Sequence, residues 1–352
     1  MGYSSGRRGF IPPYILGRII EHGSAQQRER ALGTLSQLRD LLPNPGPANR
    51  QRTHSAIAER GRAGEPRRSI HDAGGKTLLP GALVRIEGQP PTADAAVDEA
   101  YEALGITHRF FWEQFARDSI DGHGFALIGS VHYGTGYENA FWNGAQMVFG
   151  DGDGEIFNRF TLSLDVVAHE LTHGIIESEA GLIYQDQSGA LNESISDVFG
   201  VLVRQFKQDQ TADQADWLIG AELLTDRVRG DALRSMANPG SAYDDPLLGR
   251  DPQPGHMRDF IVTRDDNGGV HLNSGIPNRA FHLAAMRIGG YAWEKAGRIW
   301  YDTLCDARLA NDADFAVFAG LTTDNAMARF GAASDEAQAV RQAWADVGIV
   351  PN

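Results

Sequence analysis

His169 and His173 stand four residues apart in Asp165-Val-Val-Ala-His-Glu-Leu-Thr-His173, an H-E-x-x-H run inside an apolar, helix-patterned segment. On a helix, positions i and i+4 lie on one face about one turn apart, so both imidazoles can share a zinc ion at about 2.0–2.1 Å. Glu170 projects beside them toward the open side of such an ion, where a general base belongs. Twenty residues after His173 comes Glu193, in Ser188-Gly-Ala-Leu-Asn-Glu-Ser-Ile-Ser-Asp197. That interval holds a helix end, a loop and an antiparallel return, so Glu193 can supply a third ligand and leave a fourth position for water. Asp197, one turn further on the same face, can accept the free N–H of a ligating imidazole, with His169 as the expected donor. Ile195, Val198 and Phe199 between them mark a buried helix, where a solvated acidic face does not fit.

The elements that must carry these groups follow from periodicity. Residues 165–177, 190–207, 276–288, 291–306, 311–328 and 334–346 read as helices. Before them, from about 67 to 152, the pattern is of short strands at 131–133 and 145–149, tight Gly-Asp-Gly-Asp-Gly turns at 150–154 and one helix near 92–118. This is an α+β arrangement: a β-rich lobe over 69–185 that includes the H-E-x-x-H helix, and an α-helical lobe over 186–352, with a cleft between. Further upstream, Ser24 and Gln27 form a capping box ahead of Leu32, Leu35, Leu38 and Leu41/Leu42, predicting an amphipathic helix over 24–42 with a leucine stripe to bury. Pro12 and Pro13 predict an extended segment over 10–16 rather than helix. Pro43–Pro47 stops the helix, and the Arg-rich stretch to residue 68 reads as an exposed linker. The chain thus divides into 1–48, a linker over 49–68, and the two lobes.

With 352 residues and 42% hydrophobic content the chain can bury about two domains' worth of core. The net charge of −14 argues against nucleic acid as a partner, and no apolar run approaches the length of a membrane span. Residues 1–70 nonetheless carry 12 Arg against five acidic residues, a balance of +7, so the remainder is strongly acidic; the charge is compatible both with attraction between the two parts and with a solvated basic tail. Cys305 is the sole cysteine, which excludes an internal disulfide and a cysteine-based zinc cage.

The sequence resembles the thermolysin family over most of residues 70–352. The matching stretches are Asn139-Ala-Phe-Trp-Asn143, Gly150-Asp-Gly-Asp-Gly154, Val166–His173, Gly181-Leu-Ile-Tyr-Gln185, Asn192–Asp197 and Asp266-Asn-Gly-Gly-Val-His-Leu-Asn-Ser-Gly275. The resemblance implies the two-lobe metalloprotease fold, zinc on His169, His173 and Glu193, and Glu170 as general base. It implies that Tyr184 and His271 stabilise the oxyanion, with Asp266 orienting His271. It also implies that Asn139, the Ala140 carbonyl and Arg234 hold substrate backbone, and that Phe157, Phe160, Val166, Ile219 and Leu233 line an apolar pocket on the amine side of the cut. The expected activity is therefore endopeptidase cleavage of peptides and proteins before large hydrophobic residues. A zinc aminopeptidase lacks support, since no acidic signature for a free amino terminus is present; a non-catalytic binding protein would need a missing ligand, and none is missing.

Two features set the chain apart from secreted thermolysins. Its N-terminal part looks like the short pro-segment of the protealysin branch, which would dock as an intramolecular inhibitor until autoprocessing removes it within the linker. With no cysteine ahead of the catalytic region, that block must be steric. Of the acidic cluster that holds two calcium ions in thermolysin, Asp165 and Asp216 persist, whereas the other matching positions read Arg204, Leu218 and Ala221. Arg204 is expected to replace the double calcium, with Thr225 and Asp231 leaving room for a weaker separate site. The N-terminus has Arg7 and Arg8 but no apolar core behind them, so the expectation is secretion without a conventional signal peptide, with a cytoplasmic location as the alternative.

Overall fold

A computed structural model describes residues 9–40 and 62–350. The segment 9–40 folds as α1 (Pro13–His22) and α2 (Ala25–Asp40). The β-rich lobe contains β1 (Arg68–Asp72), β2 (Ala82–Ile86), α3 (Ala95–Phe115), β3 (Leu127–Val131), β4 (Ala140–Trp142), β5 (Met147–Phe149) and α4 (Leu164–Ser178). α5 (Asp186–Gln208) opens the helical lobe, which continues through two small hairpins, β6 (Leu218–Ile219) with β7 (Arg234–Ser235) and β8 (Asp244–Asp245) with β9 (Gly249–Arg250). It ends in α6 (Asp266–Asn273), α7 (Gly275–Ile288), α8 (Ala296–Leu304), α9 (Phe315–Phe330) and α10 (Asp335–Asp346). The predicted helices are all present with shifted ends, and α6, whose first four residues from Asp266 to Gly269 have positive φ, is additional to them.

The main sheet has the order β2-β1-β3-β5-β4, parallel across β1-β3-β5 and antiparallel at both margins. α3 and α4 cover it, burying Leu104, Phe110, Phe111, Val167, Leu171 and Ile175 in one continuous core with α5 and the C-terminal helices. β4 is an edge strand, and its outer side faces the cleft. α4 and α5 lie close enough that a Cβ on Gly200 would come within 2.7 Å of the Asp165 carbonyl oxygen. Glycine at that position therefore lets the helix bearing Glu193 approach the helix bearing both histidines.

The expectation of an extended 10–16 is incorrect. Pro12 is the extended N-cap and Pro13 the first helical residue, so α1 starts inside the predicted segment. Proline's missing N–H is no loss in a first helical turn, and its fixed φ suits the helix. The capping box of α2 forms as predicted: the Ser24 N–H donates to Gln27 Oε1 at 2.9 Å and the Gln27 N–H to Ser24 Oγ at 3.3 Å. The leucine stripe sets only part of the buried face, with Leu35 half-buried against the core beside Leu38. Leu32 is exposed, and Ala31, Thr34 and Leu38 turn inward, while Ile15, Leu16 and Ile19 of α1 are fully buried. Leu41, Leu42, the Pro43–Pro47 stop and the linker as far as residue 61 lie outside the described residues. The linker's predicted end overlaps the body by one residue, because Arg68 already belongs to β1.

Arg204 from α5, expected to stand in for calcium, donates to Asp165 Oδ2 at 3.2 Å, to the Leu218 carbonyl at 2.7 Å and to Asp216 Oδ1. Asp165 also accepts from the Gly220 N–H at 2.9 Å. A fixed guanidinium thus pairs with both carboxylates from within the fold. Among the described residues, no helix is long and apolar enough to cross a membrane.

Candidate metal centre and peptide-binding cleft

His169 and His173 project from α4 and Glu193 from α5, and all three are buried. Their ligand atoms lie within 4.8 Å of one another. Each imidazole is oriented through its far nitrogen. His169 Nδ1 donates to Asp197 Oδ1 at 2.9 Å, and His173 Nδ1 is 2.7 Å from Asn192 Oδ1 and 3.0 Å from Ser196 Oγ. With Nδ1 carrying the proton, both Nε2 lone pairs face the Glu193 carboxylate, at 3.5 Å from His169 and 3.4 Å from His173. His169 Nε2 and Glu193 Oε2 are buried without a hydrogen-bond partner among the described residues. Electron-pair donors converging with no proton between them repel unless a cation joins them, and two imidazoles plus a carboxylate suit zinc.

Around this point the other named groups gather. Burial, opposed by the His169 ring and reinforced by Glu193, pushes the Glu170 carboxyl up to about 7. The Tyr184 hydroxyl donates to Glu193 Oε1 and lies 3.2 Å from His271 Nε2. Asp266 grips His271 twice, with Oδ1 2.6 Å from Nδ1 and Oδ2 accepting the His271 backbone N–H at 2.9 Å. Burial disfavours the charged ring, but Asp266 and then Glu193 outweigh it and hold the His271 pKa near 9, so both ring nitrogens can donate. Asp197 would likewise rise on burial; Arg234 and His169 hold it well below the usual carboxylate range.

Arg234 on β7 does more than its sequence context suggested. Its guanidinium donates to both Asp197 oxygens, at 2.9 and 2.7 Å, and its remaining NH reaches the Phe10 carbonyl at 3.3 Å. Asn278 of α7 adds a fourth bond to Asp197, at 2.9 Å. Neither this pairing nor the Asn192 contact to His173 follows from the sequence. Asn192 was visible as part of the Asn192–Asp197 stretch, one residue before a ligand; the Arg234–Asp197 pair is purely tertiary.

The cleft contains the chain's own residues 9–11. The Phe10 N–H donates to the Ala140 carbonyl at 3.0 Å, extending the sheet beyond edge strand β4. The Ile11 N–H donates to Asn139 Oδ1 at 2.8 Å, and Asn139 Nδ2 returns a bond to the Ile11 carbonyl at 3.2 Å. His271 Nε2 donates to the Gly9 carbonyl at 3.0 Å. The Phe10 ring is fully buried, edge-on to His169 at 5.0 Å, with the Arg234 guanidinium 4.5 Å over its face. It abuts Gly220 beside Leu233, while Phe157, Phe160, Val166 and Ile219 are buried in the same core. Burying one phenylalanine in this way stabilises docking by about 1.5–3 kcal/mol.

The Asn192 contact generates a test of the metal reading. Asn192→Ala removes the acceptor that fixes the His173 tautomer and should weaken zinc affinity roughly tenfold, with Ser196 compensating in part. Asn192→Asp, which retains the acceptor, should restore it. Competition against a chromophoric chelator measures both; unchanged affinity in Asn192→Ala would contradict the role.

Comparison with known proteins agrees with this geometry. Residues 82–177 match the family model of the thermolysin metallopeptidase catalytic domain, 180–349 its alpha-helical domain, and 8–50 the protealysin propeptide. The extracellular metalloprotease of Pectobacterium carotovorum subsp. carotovorum is 60% identical, over 96% of this chain and 95% of its own length. Thermolysin of Bacillus sp. (strain EA1) is 38% identical, over 79% of this chain and 50% of its own length. Among solved structures, the precursor of protealysin from Serratia proteamaculans superposes with a TM-score of 0.89 at 60% identity, covering 97% of this chain and all of that one. The chain belongs to the thermolysin family of metallopeptidases and carries a protealysin-type propeptide region.

Proposed function

We propose that this chain is a zinc endopeptidase that cuts peptides on the amino side of large hydrophobic residues and is held latent by its own segment 9–40. The observation that carries the reading is the pose of Gly9–Ile11. Its backbone is bonded by Ala140, Asn139, Arg234 and His271, and its aromatic side chain, Phe10, fills the apolar pocket. A substrate lying in the same register would put the peptide bond before its hydrophobic residue where Gly9–Phe10 now lies.

Zinc held by His169, His173 and Glu193 supplies Lewis-acid activation of water and of the carbonyl. The protein's own groups do the remainder. Glu170 takes the proton of the attacking water and passes it to the leaving amine. His271 and Tyr184 donate to the charge that develops on the carbonyl oxygen, with Asp266 keeping the His271 ring charged and aimed. Asn139, the Ala140 carbonyl and Arg234 fix the chain on either side, which converts binding into orientation. Because α1 and α2 anchor the part of the segment that follows Phe10, the pocket stays filled even if a bond before Phe10 is cut.

Relatives named as extracellular support action outside the cell, on protein or peptide substrates. The domain division that accompanies this reading is 1–48 as pro-segment, 49–68 as maturation linker, and lobes over 69–185 and 186–352.

The test of the chemistry is an internally quenched peptide blocked at both ends, assayed on processed enzyme with and without a zinc chelator. Cleavage abolished by the chelator is expected. Glu170→Ala should lose about 10²–10⁴ in turnover while keeping its zinc, because Glu170 is a base and not a ligand. Substantial turnover in that variant would contradict the assignment.

Arg204, bonded to Asp165 and Asp216, supports the absence of the double calcium site. Thermal melting of the processed enzyme should therefore shift little between calcium and a calcium chelator that leaves zinc in place. A large calcium-dependent rise, removed by Asp165→Asn, would overturn that reading.

A further inference from the structure

Away from the zinc site, α2 covers a second buried polar cluster on the catalytic body. Glu138, which directly precedes the cleft residue Asn139, is fully buried, and neither of its carboxyl oxygens has a hydrogen-bond partner among the described residues. Beside it is Asp153, from the turn after β5. Asp153 Oδ1 accepts three backbone N–H groups, from Glu155, Ile156 and Phe157 at 2.9, 2.7 and 3.0 Å, whereas Oδ2 is buried without a hydrogen bond.

Arg30 of α2 faces Asp153, and its charge bears on Glu138. Its guanidinium is 3.8 Å from Asp153 Oδ2, and its stem lies 3.2 Å from the Cβ position of Gly136. α2 is keyed to the same loop by two further bonds. The Glu138 N–H donates to Thr34 Oγ1 at 3.1 Å, and Gln27 Nε2 donates to Glu155 Oε2 at 3.1 Å. Among the described residues, Arg30 from α2 and Asp153 from the turn are the charged groups that bear on Glu138. One partly exposed guanidinium against two carboxyl groups that are themselves shut away from water leaves a surplus negative charge unless one carboxyl holds a proton.

We propose that Glu138 and Asp153 form an acidic subsite that takes the Arg30 guanidinium of the docked segment, and that Glu138 binds a proton on docking and releases it when α2 leaves. This rests on the inhibitor reading given above and adds its regulation. Burial, together with Asp153 and against Arg30, pushes the Glu138 carboxyl up to about 8 in the docked chain. Once α2 departs, water reaches the group and its pKa falls toward the ordinary glutamate range. A group with the higher pKa in the docked state binds its proton there. Docking is therefore tightest in acid and weakens as pH rises from the ordinary glutamate range to about 8, after which the effect is complete. Latency is favoured in mildly acidic surroundings and release in neutral to alkaline ones.

The test uses the full-length chain carrying Glu170→Ala, so that it remains intact. Amide hydrogen exchange of α1 and α2, corrected for intrinsic chemical rates, gives the opening equilibrium between pH 5.5 and 8. The expected opening constant rises by up to about tenfold per pH unit, the limit for one linked proton. Adding Glu138→Gln should flatten the dependence and keep the helices closed across the range. A flat parent profile, or an unchanged slope in Glu138→Gln, overturns the proposal. Arg30→Gln, on a helix of the segment itself, serves if the Gln variant does not fold. It should raise opening at every pH and carry the slope to higher pH, and an unaltered profile overturns the proposal equally. Latency of the intact wild-type chain toward the blocked peptide separates the two readings. An active chain with α1 and α2 still docked would refute the inhibitor, whereas a latent chain without the pH slope would refute only the acidic subsite.

Discussion

Asp197 is buried and accepts four hydrogen bonds: from His169, twice from Arg234, and from Asn278. Through the first it sets the tautomer of a ring in the candidate metal site. Through Arg234 it positions the donor that meets the Phe10 carbonyl in the cleft, and through Asn278 it ties α5 to α7. A lone carboxylate in this place would be costly, and so would a lone guanidinium. Removing one partner of such a buried pair typically destabilises by about 3–5 kcal/mol. The candidate metal site, the grip on the docked chain and the junction of α5 with the C-terminal helices thus depend on one ion pair.

The remaining requirement is that two helices from different parts of the chain meet closely enough for three ligands to converge. Gly200 permits the contact of α4 with α5, and the apolar faces of both helices pack it in place. The β-sheet contributes differently. Its edge strand β4 has no neighbouring strand of the sheet on the cleft side, and an open edge can pair with an extended chain that reaches it. In this molecule the recruited chain is the protein's own residues 9–11, anchored by α1 and α2. The site is therefore complete in its side chains and filled at the same time.

Much of this was legible because it is local. The i, i+4 histidines, the returning glutamate with its aspartate one turn on, and the Ser24–Gln27 cap all depend on short spacings that a helix converts directly into geometry. Where the contact is tertiary, the sequence reading went wrong or stayed silent. Pro12-Pro13 is compatible both with extended chain and with a helix start, and only the packing of Ile15, Leu16 and Ile19 decides for the helix. Leucines at 32, 35 and 38 outline a stripe, yet the surface α2 meets presents a backbone N–H and two carboxyl groups, so Ala31 and Thr34 turn inward with Leu38 and leave Leu32 in water. Arg234 could be matched to a substrate-binding position by resemblance, but its bond to an aspartate 37 residues away follows from no periodicity.

The central claim is that a metal ion joins His169, His173 and Glu193. X-ray absorption at the zinc edge on the purified chain, alongside elemental analysis of wild type and Glu193→Gln, tests it most directly. The account predicts one zinc per chain with two nitrogen ligands and light oxygen ligands, no sulfur, and a sharp fall in zinc content once the Glu193 charge is removed. Full zinc occupancy in Glu193→Gln, or a coordination sphere without two histidine nitrogens, would contradict it.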